Sequence, residues 1–131
     1  AAYDVFVDCG DVALAAWQVD VHAGDGGGAD EAPNAGTVAI VGIEGGEHEA
    51  YARPPRYDPR AMQHDRVIIG AFSTAGEDAL PRGRTRVARI HVRLEGPEGF
   101  EPVFDVRLET AGAPLGARVN GEATIEKGER P

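Results

Sequence analysis

Within Arg84 to Leu94, Ala88, Ile90, Val92 and Leu94 occupy alternate positions, with Arg89, His91 and Arg93 between them. A helix would scatter these apolar residues around its axis, whereas an extended strand collects them on one face. The same period of two recurs along the chain. Tyr3 to Asp8 sets Tyr3, Val5 and Val7 on one face; Ala13 to His22 sets Trp17, Val19 and Val21 against Gln18, Asp20 and His22; Val103 to Glu109 turns Phe104, Val106 and Leu108 inward. Thr37 to Ile43 and Val67 to Phe72 are continuously apolar, the pattern of central strands covered on both faces. Arg118 to Ile125 carries Asn120-Gly121, a pair that favours a tight turn between strands. Clusters of Gly, Pro and Asp separate these segments, which makes about seven strand candidates. Helical periodicity is weak, and Asp58 to Asp65, with Ala61 and Met62 as its apolar residues, predicts one short helical turn. Strands at this spacing predict an all-β chain folded as a β-sandwich with Greek-key or jelly-roll connections.

A chain of 131 residues, 42% hydrophobic and 27% charged, has the apolar surface for one packed core, so residues 1–131 read as a single domain. The 22 acidic residues outweigh the 13 basic ones for a net charge of -9, which repels phosphate backbones and anionic lipids and argues against nucleic acid as a partner. Apolar runs stop well short of the roughly 20 residues that span a bilayer, so no membrane insertion is expected. Cys9 is the single cysteine, which rules out an internal disulfide and a cysteine-based zinc cluster.

In order along the chain stand Tyr3 to Val7, Ala13 to Val21 with Trp17-Gln-Val-Asp-Val21, Val38 to Glu44 ending in Gly42-Ile-Glu44, Arg66 to Phe72 with Ile68-Ile-Gly-Ala-Phe72, and Thr85 to Val92 with Val87-Ala-Arg-Ile-His-Val92. In content and order this series resembles the cohesin family. The resemblance implies a jelly-roll or immunoglobulin-like sandwich of about nine strands, related in architecture to cellulose-binding modules. It also implies a place in a secreted or cell-surface protein, and docking of a calcium-loaded dockerin-like module through an exposed sheet face. In that arrangement the strands holding Arg89 and Asp105 belong to opposite sheets, which would leave the Arg89, His91, Arg93 stripe free to meet an acidic partner.

Two long loops interrupt the strands, Gly24 to Gly36 and Gly45 to Asp65. Loops of this length on a rigid scaffold are where recognition sits. The second is dense in Tyr and Arg, residue types that give large contact area and directional hydrogen bonds at recognition surfaces. Tyr51, Arg53, Arg56, Tyr57, Asp58 and His64 are therefore the expected partner-binding residues. The competing reading is a lid, with Tyr51, Tyr57 and Met62 buried over a sheet edge.

Catalytic constellations are not legible. Ser73 is the only serine and has no nucleophile elbow around it; Cys9 lies between Asp8 and Asp11, whose charges raise a thiol pKa. Glu47-His48-Glu49 with His64-Asp65 offer metal-ligating types, but adjacent residues rarely all reach one ion, and the Asp25 to Asp30 stretch has too few oxygens for calcium, so no metal or cofactor is expected. Trp17 reads as a core anchor. The sequence thus predicts no enzyme but a non-catalytic protein-recognition module. A carbohydrate-binding module of the same architecture, taking a polysaccharide, and a ligand-free spacer are the alternatives. Solvent-facing, coplanar Tyr51 and Tyr57 would favour the sugar.

Overall fold

The structure is a computed structural model and describes residues 1–24, 36–98 and 100–128. Among the described residues seven strands carry the fold: β1 (Ala2–Asp8), β2 (Ala16–Gly24), β3 (Thr37–Gly45), β4 (Arg66–Phe72), β5 (Thr85–Glu95), β6 (Val103–Gly112) and β7 (Glu122–Lys127). They form two antiparallel sheets, four strands in the order β3-β5-β1-β7 and three in the order β4-β2-β6. The two inner faces make one core. Tyr3, Val5 and Val7 of β1, Val38, Ile40 and Ile43 of β3, and Ala88, Ile90 and Val92 of β5 are buried against Trp17, Val19 and Val21 of β2 and Val67 and Ile69 of β4. The Tyr3 ring meets Phe104 of β6 across the sandwich, with centroids 4.7 Å apart. An all-β sandwich is what the alternation predicted.

Three bulges adjust the alternation. Val41 is the extra residue of β3, between Ile40 opposite Val92 and Gly42 opposite His91. That slip returns Ile43 to the core after Ile40 and leaves Val41 outside, because one added residue reverses the face of all that follow. Val87 and Glu109 are the corresponding extra residues of β5 and β6.

Several expectations are corrected. β3 and β4 are edge strands, not central ones. The apolar run in β3 comes from its bulge, and that in β4 from two residues that face outward, Ile68 and Phe72. Asn120-Gly121 does not close a hairpin: Arg118 bridges to Gly112 of β6, whereas β7 lies in the other sheet, so the turn crosses between sheets. The Arg89 to Arg93 stripe is neither free nor fully solvated. β5 and β6 do lie in opposite sheets, but register puts Asp4 of β1 directly across from Arg89, and the pair closes at 2.7 Å with side chains only 13% and 20% exposed. Glu44 of β3 bonds His91, which holds the glutamate carboxyl below its usual range, and Arg93 meets Glu95.

The long segment between β3 and β4 straps one flank of the sandwich. Glu47 N–H bonds Arg86 carbonyl and the Arg86 N–H returns to the Glu47 carboxylate at 2.8 Å, fixing its start to β5. His48 Nδ1 accepts the Ala50 N–H and caps a short 3-10 turn, Glu49–Tyr51. Tyr51 then enters the core, 3% exposed, its ring edge-on to Trp17 and its hydroxyl donating to Leu14 carbonyl at 2.8 Å. Farther on, Asp58 caps a second 3-10 turn, Pro59–Ala61, at the predicted helical turn. Gln63 and His64 pair with Ile40 on the edge of β3 before the chain enters β4. Tyr57, Ala61 and Met62 pack partly buried against the core.

Burial pushes the Tyr51 phenol up to about 12, against about 10 for a free tyrosine. Its neutral form therefore supports the fold fully below pH 10, and that support is lost as pH rises toward 12. Tyr51→Phe should cost about 1–2 kcal/mol at neutral pH by leaving the Leu14 carbonyl without its donor. It should also flatten the fall in stability between pH 10 and 12, as read by denaturant titrations across that range. An unchanged alkaline limb would remove Tyr51 as its source.

Candidate functional site

The outer face of the three-stranded sheet divides into two ends. Cross-strand register sets Arg66, His22 and Asp105 in one row, Ile68, Asp20 and Arg107 in the next, then Gly70, Gln18 and Thr110, and finally Phe72, Ala16 and Gly112. The first end is charged and neutralises itself. Arg66 forks onto Asp20 at 2.9 and 2.5 Å, Arg107 meets Asp105 at 3.3 Å, and His22 lies 3.5 Å from Asp65. The Arg66 hydrogen bonds hold the Asp20 carboxyl below its usual range.

The second end is apolar and open. Phe72 is 63% exposed and Ile68 is 44% exposed, although most large apolar side chains of β2 and β4 lie in the core. Gly70 stands between them with no side chain, and there the floor of a 460 Å³ hollow is backbone. A methyl group on Gly70 would come within 3.0 Å of the Trp17 carbonyl oxygen, so the floor is already at contact distance. Gln18 and Thr110 bound the hollow on one side, Arg56 and Tyr57 on the other. Arg56 reaches this position because its backbone pairs with Gly70 in both directions, at 2.8 and 3.1 Å, adding one rung beyond β4. Its guanidinium lies 5.7 Å from the Phe72 ring centre, over the ring. A second hollow of 340 Å³ adjoins the first across Arg56 and Phe72 and is rimmed by Glu49, Arg53 and Pro54.

The structure divides the expected partner-binding residues. Arg53, Arg56 and Tyr57 come together around these hollows. Tyr51 is corrected: it is a core residue whose hydroxyl is satisfied internally, and it holds the strap that carries the others. Asp58 is engaged in its own turn, accepting the Arg60 N–H at 2.9 Å and the Arg60 guanidinium at 3.0 Å. His64 lines a different hollow beside Gln63 and Asp65. The lid reading therefore describes Tyr51 and, in part, Tyr57 and Met62, whereas Arg53 and Arg56 stay exposed. Ile68, Gly70 and Phe72 were absent from the expected set. Their signal was the apolar run Val67 to Phe72, which exceeds what one core face of an edge strand requires.

Among the described residues no three His, Cys, Asp or Glu side chains converge as a metal site, and no helix is long and apolar enough to cross a membrane. The Asp25 to Asp30 stretch lies outside the described residues. The Cys9 thiol is pushed up, first by burial and then by Asp8. Comparison of the chain with protein-family models, with curated proteins and with solved structures returned no match.

Phe72→Ser should change stability by less than about 1 kcal/mol, because an outward residue of an edge strand leaves little contact behind. Ile69→Ala, one face away, should cost about 2–5 kcal/mol through a core cavity. Denaturant midpoints of the two variants check the contrast, and equal losses would place Phe72 in the core. The depressed Asp20 pKa stabilises the fold above the unfolded value near 4, and that contribution is lost as pH falls through the folded value. Arg66→Gln should accordingly move the onset of acid unfolding to higher pH.

Proposed function

We propose that this domain is a non-catalytic protein-recognition module, a cohesin-like sandwich that docks its partner on the outer face of the β4-β2-β6 sheet. The observation that carries the reading is the apolar end of that face. Ile68 and Phe72 are held out to solvent around the bare backbone of Gly70, beside Arg56 and Tyr57. Aromatic and arginine residues around an apolar centre are the composition of interface hot spots. Strands give that centre a rigid base, and the Tyr51 anchor fixes the strap beside it. Strand order supports the same architecture, since the strands bearing the Arg89 stripe and Asp105 lie in opposite sheets, as the resemblance implies.

Sugar recognition is less well supported. A polysaccharide platform presents several aromatic rings in one plane. Here Tyr51 is buried, Tyr57 is half-buried, and Phe72 is the one aromatic ring exposed to a large extent among the described residues. A dockerin-like module is the partner class to which the resemblance points, in a secreted or cell-surface setting.

The domain should retain a protein from the extracytoplasmic fraction of its source organism, and Phe72→Ser, folded by circular dichroism, should lose that same protein. Electrophoresis through gels containing soluble xylan or hydroxyethyl cellulose supplies the opposing arm. Retardation by a polysaccharide, abolished by the same substitution, would replace the protein reading with the carbohydrate one.

A further inference from the structure

The arginines of the chain differ in how they are partnered. Seven of them form ion pairs with carboxylates among the described residues, which suits a chain rich in Asp and Glu. Of the other described arginines, Arg86 donates to the Gly45 carbonyl at 3.3 Å, and Arg118 lies beyond the end of β6. Arg53 and Arg56 are the remaining two, and both rim the 340 Å³ hollow next to the exposed Phe72 ring. Neither meets a carboxylate among the described residues. Glu49 shares the rim and offsets one of them, so the hollow keeps a local positive charge on a domain whose net charge is -9. The Gly70 hollow beside it is bounded by Ile68, Tyr57 and Phe72 and takes an apolar group.

From this juxtaposition we infer that the partner's docking element is an acidic peptide segment, one that seats an aliphatic or aromatic side chain over Gly70 and places a neighbouring carboxylate between Arg53 and Arg56. The inference rests on the recognition reading above and adds the chemistry of the partner. A guanidinium matches a carboxylate with two parallel hydrogen bonds, which gives direction as well as attraction. A lone apolar hollow would accept any greasy side chain; the arginines make it selective. The remaining acidic surface repels other acidic chains that cannot offer the apolar anchor, so the two elements act together in choosing the partner.

A random dodecapeptide library displayed on phage and selected on the domain tests this directly. Recovered peptides should share an Asp or Glu within a few residues of Leu, Ile or Phe. A synthetic peptide of the recovered consensus should lose about tenfold in affinity when its acids become Asn or Gln, and by a similar factor on the Arg53→Gln/Arg56→Gln variant. Both arginine side chains are exposed, so that variant keeps the fold, and the amide peptide gives the same answer on the unaltered domain. A consensus without acids that is lost on Phe72→Ser would overturn the acidic partner and leave the docking face standing. Peptides that bind Phe72→Ser and Arg53→Gln/Arg56→Gln as well as the original, or no enrichment at all, would overturn both.

Discussion

The hydrogen bond from the Tyr51 hydroxyl to the Leu14 carbonyl lies inside the core, where an unmet donor or acceptor costs far more than one at the surface. It fixes the first part of the longest described connection in the molecule. With Tyr51 pinned edge-on to Trp17, the chain runs on through Pro54 and Pro55 to Arg56, whose backbone pairs with Gly70. The Tyr51 anchor and the Arg56–Gly70 rung together hold Arg53, Arg56 and Tyr57 beside Phe72. Burial of one tyrosine thus helps turn a flank connection into the wall of the Gly70 hollow.

The two outer faces of the sandwich show how differently the same fold handles exposure. On the four-stranded sheet Arg89, His91 and Arg93 of β5 each find a counter-charge, and even Phe6 is covered by the Arg84 guanidinium, 3.6 Å from its ring centre. On the three-stranded sheet this pairing stops at the row of Asp20 and Arg107; Ile68 in that row and Phe72 beyond it stay exposed, with Arg53 and Arg56 free of carboxylate partners among the described residues. Stability alone does not call for apolar side chains there, since hydrating them opposes solubility without strengthening the core.

Much of the fold was legible because alternation survives in the sequence. Tyr3, Val5, Val7, Trp17, Val19 and Val21 are buried where their spacing puts them. The bulges were not legible: an inserted Val41 or Val87 reads as one more apolar residue, and only pairing with a neighbouring strand reveals that it has shifted the face. For the same reason the apolar run of β3 reads as a central strand; that of β4 does so because Ile68 and Phe72 face outward. In the candidate site, Arg53, Arg56 and Tyr57 were visible from composition, whereas Ile68 and Phe72 were hidden inside a run taken for core. Tyr51 carries the same chemical signature as Tyr57, and their different fates depend on which of them reaches the Leu14 carbonyl, a contact across 37 positions that local patterning does not encode.

The pairing of β1 with β7 gives the molecule a mechanical polarity. The two strands run antiparallel, Tyr3 opposite Lys127 and Asp8 opposite Glu122, and the Gly128 N–H closes the outer end onto Ala2. Tension applied at Ala2 and Gly128 would therefore load this ladder one rung at a time, peeling it like a zipper instead of shearing all its bonds together. The strap and its Tyr51 anchor lie at the opposite edge of that sheet, beyond β5 and β3, and would bear load last. Under such a pull the domain would yield first at the β7 edge, the side of the sheet away from the strap.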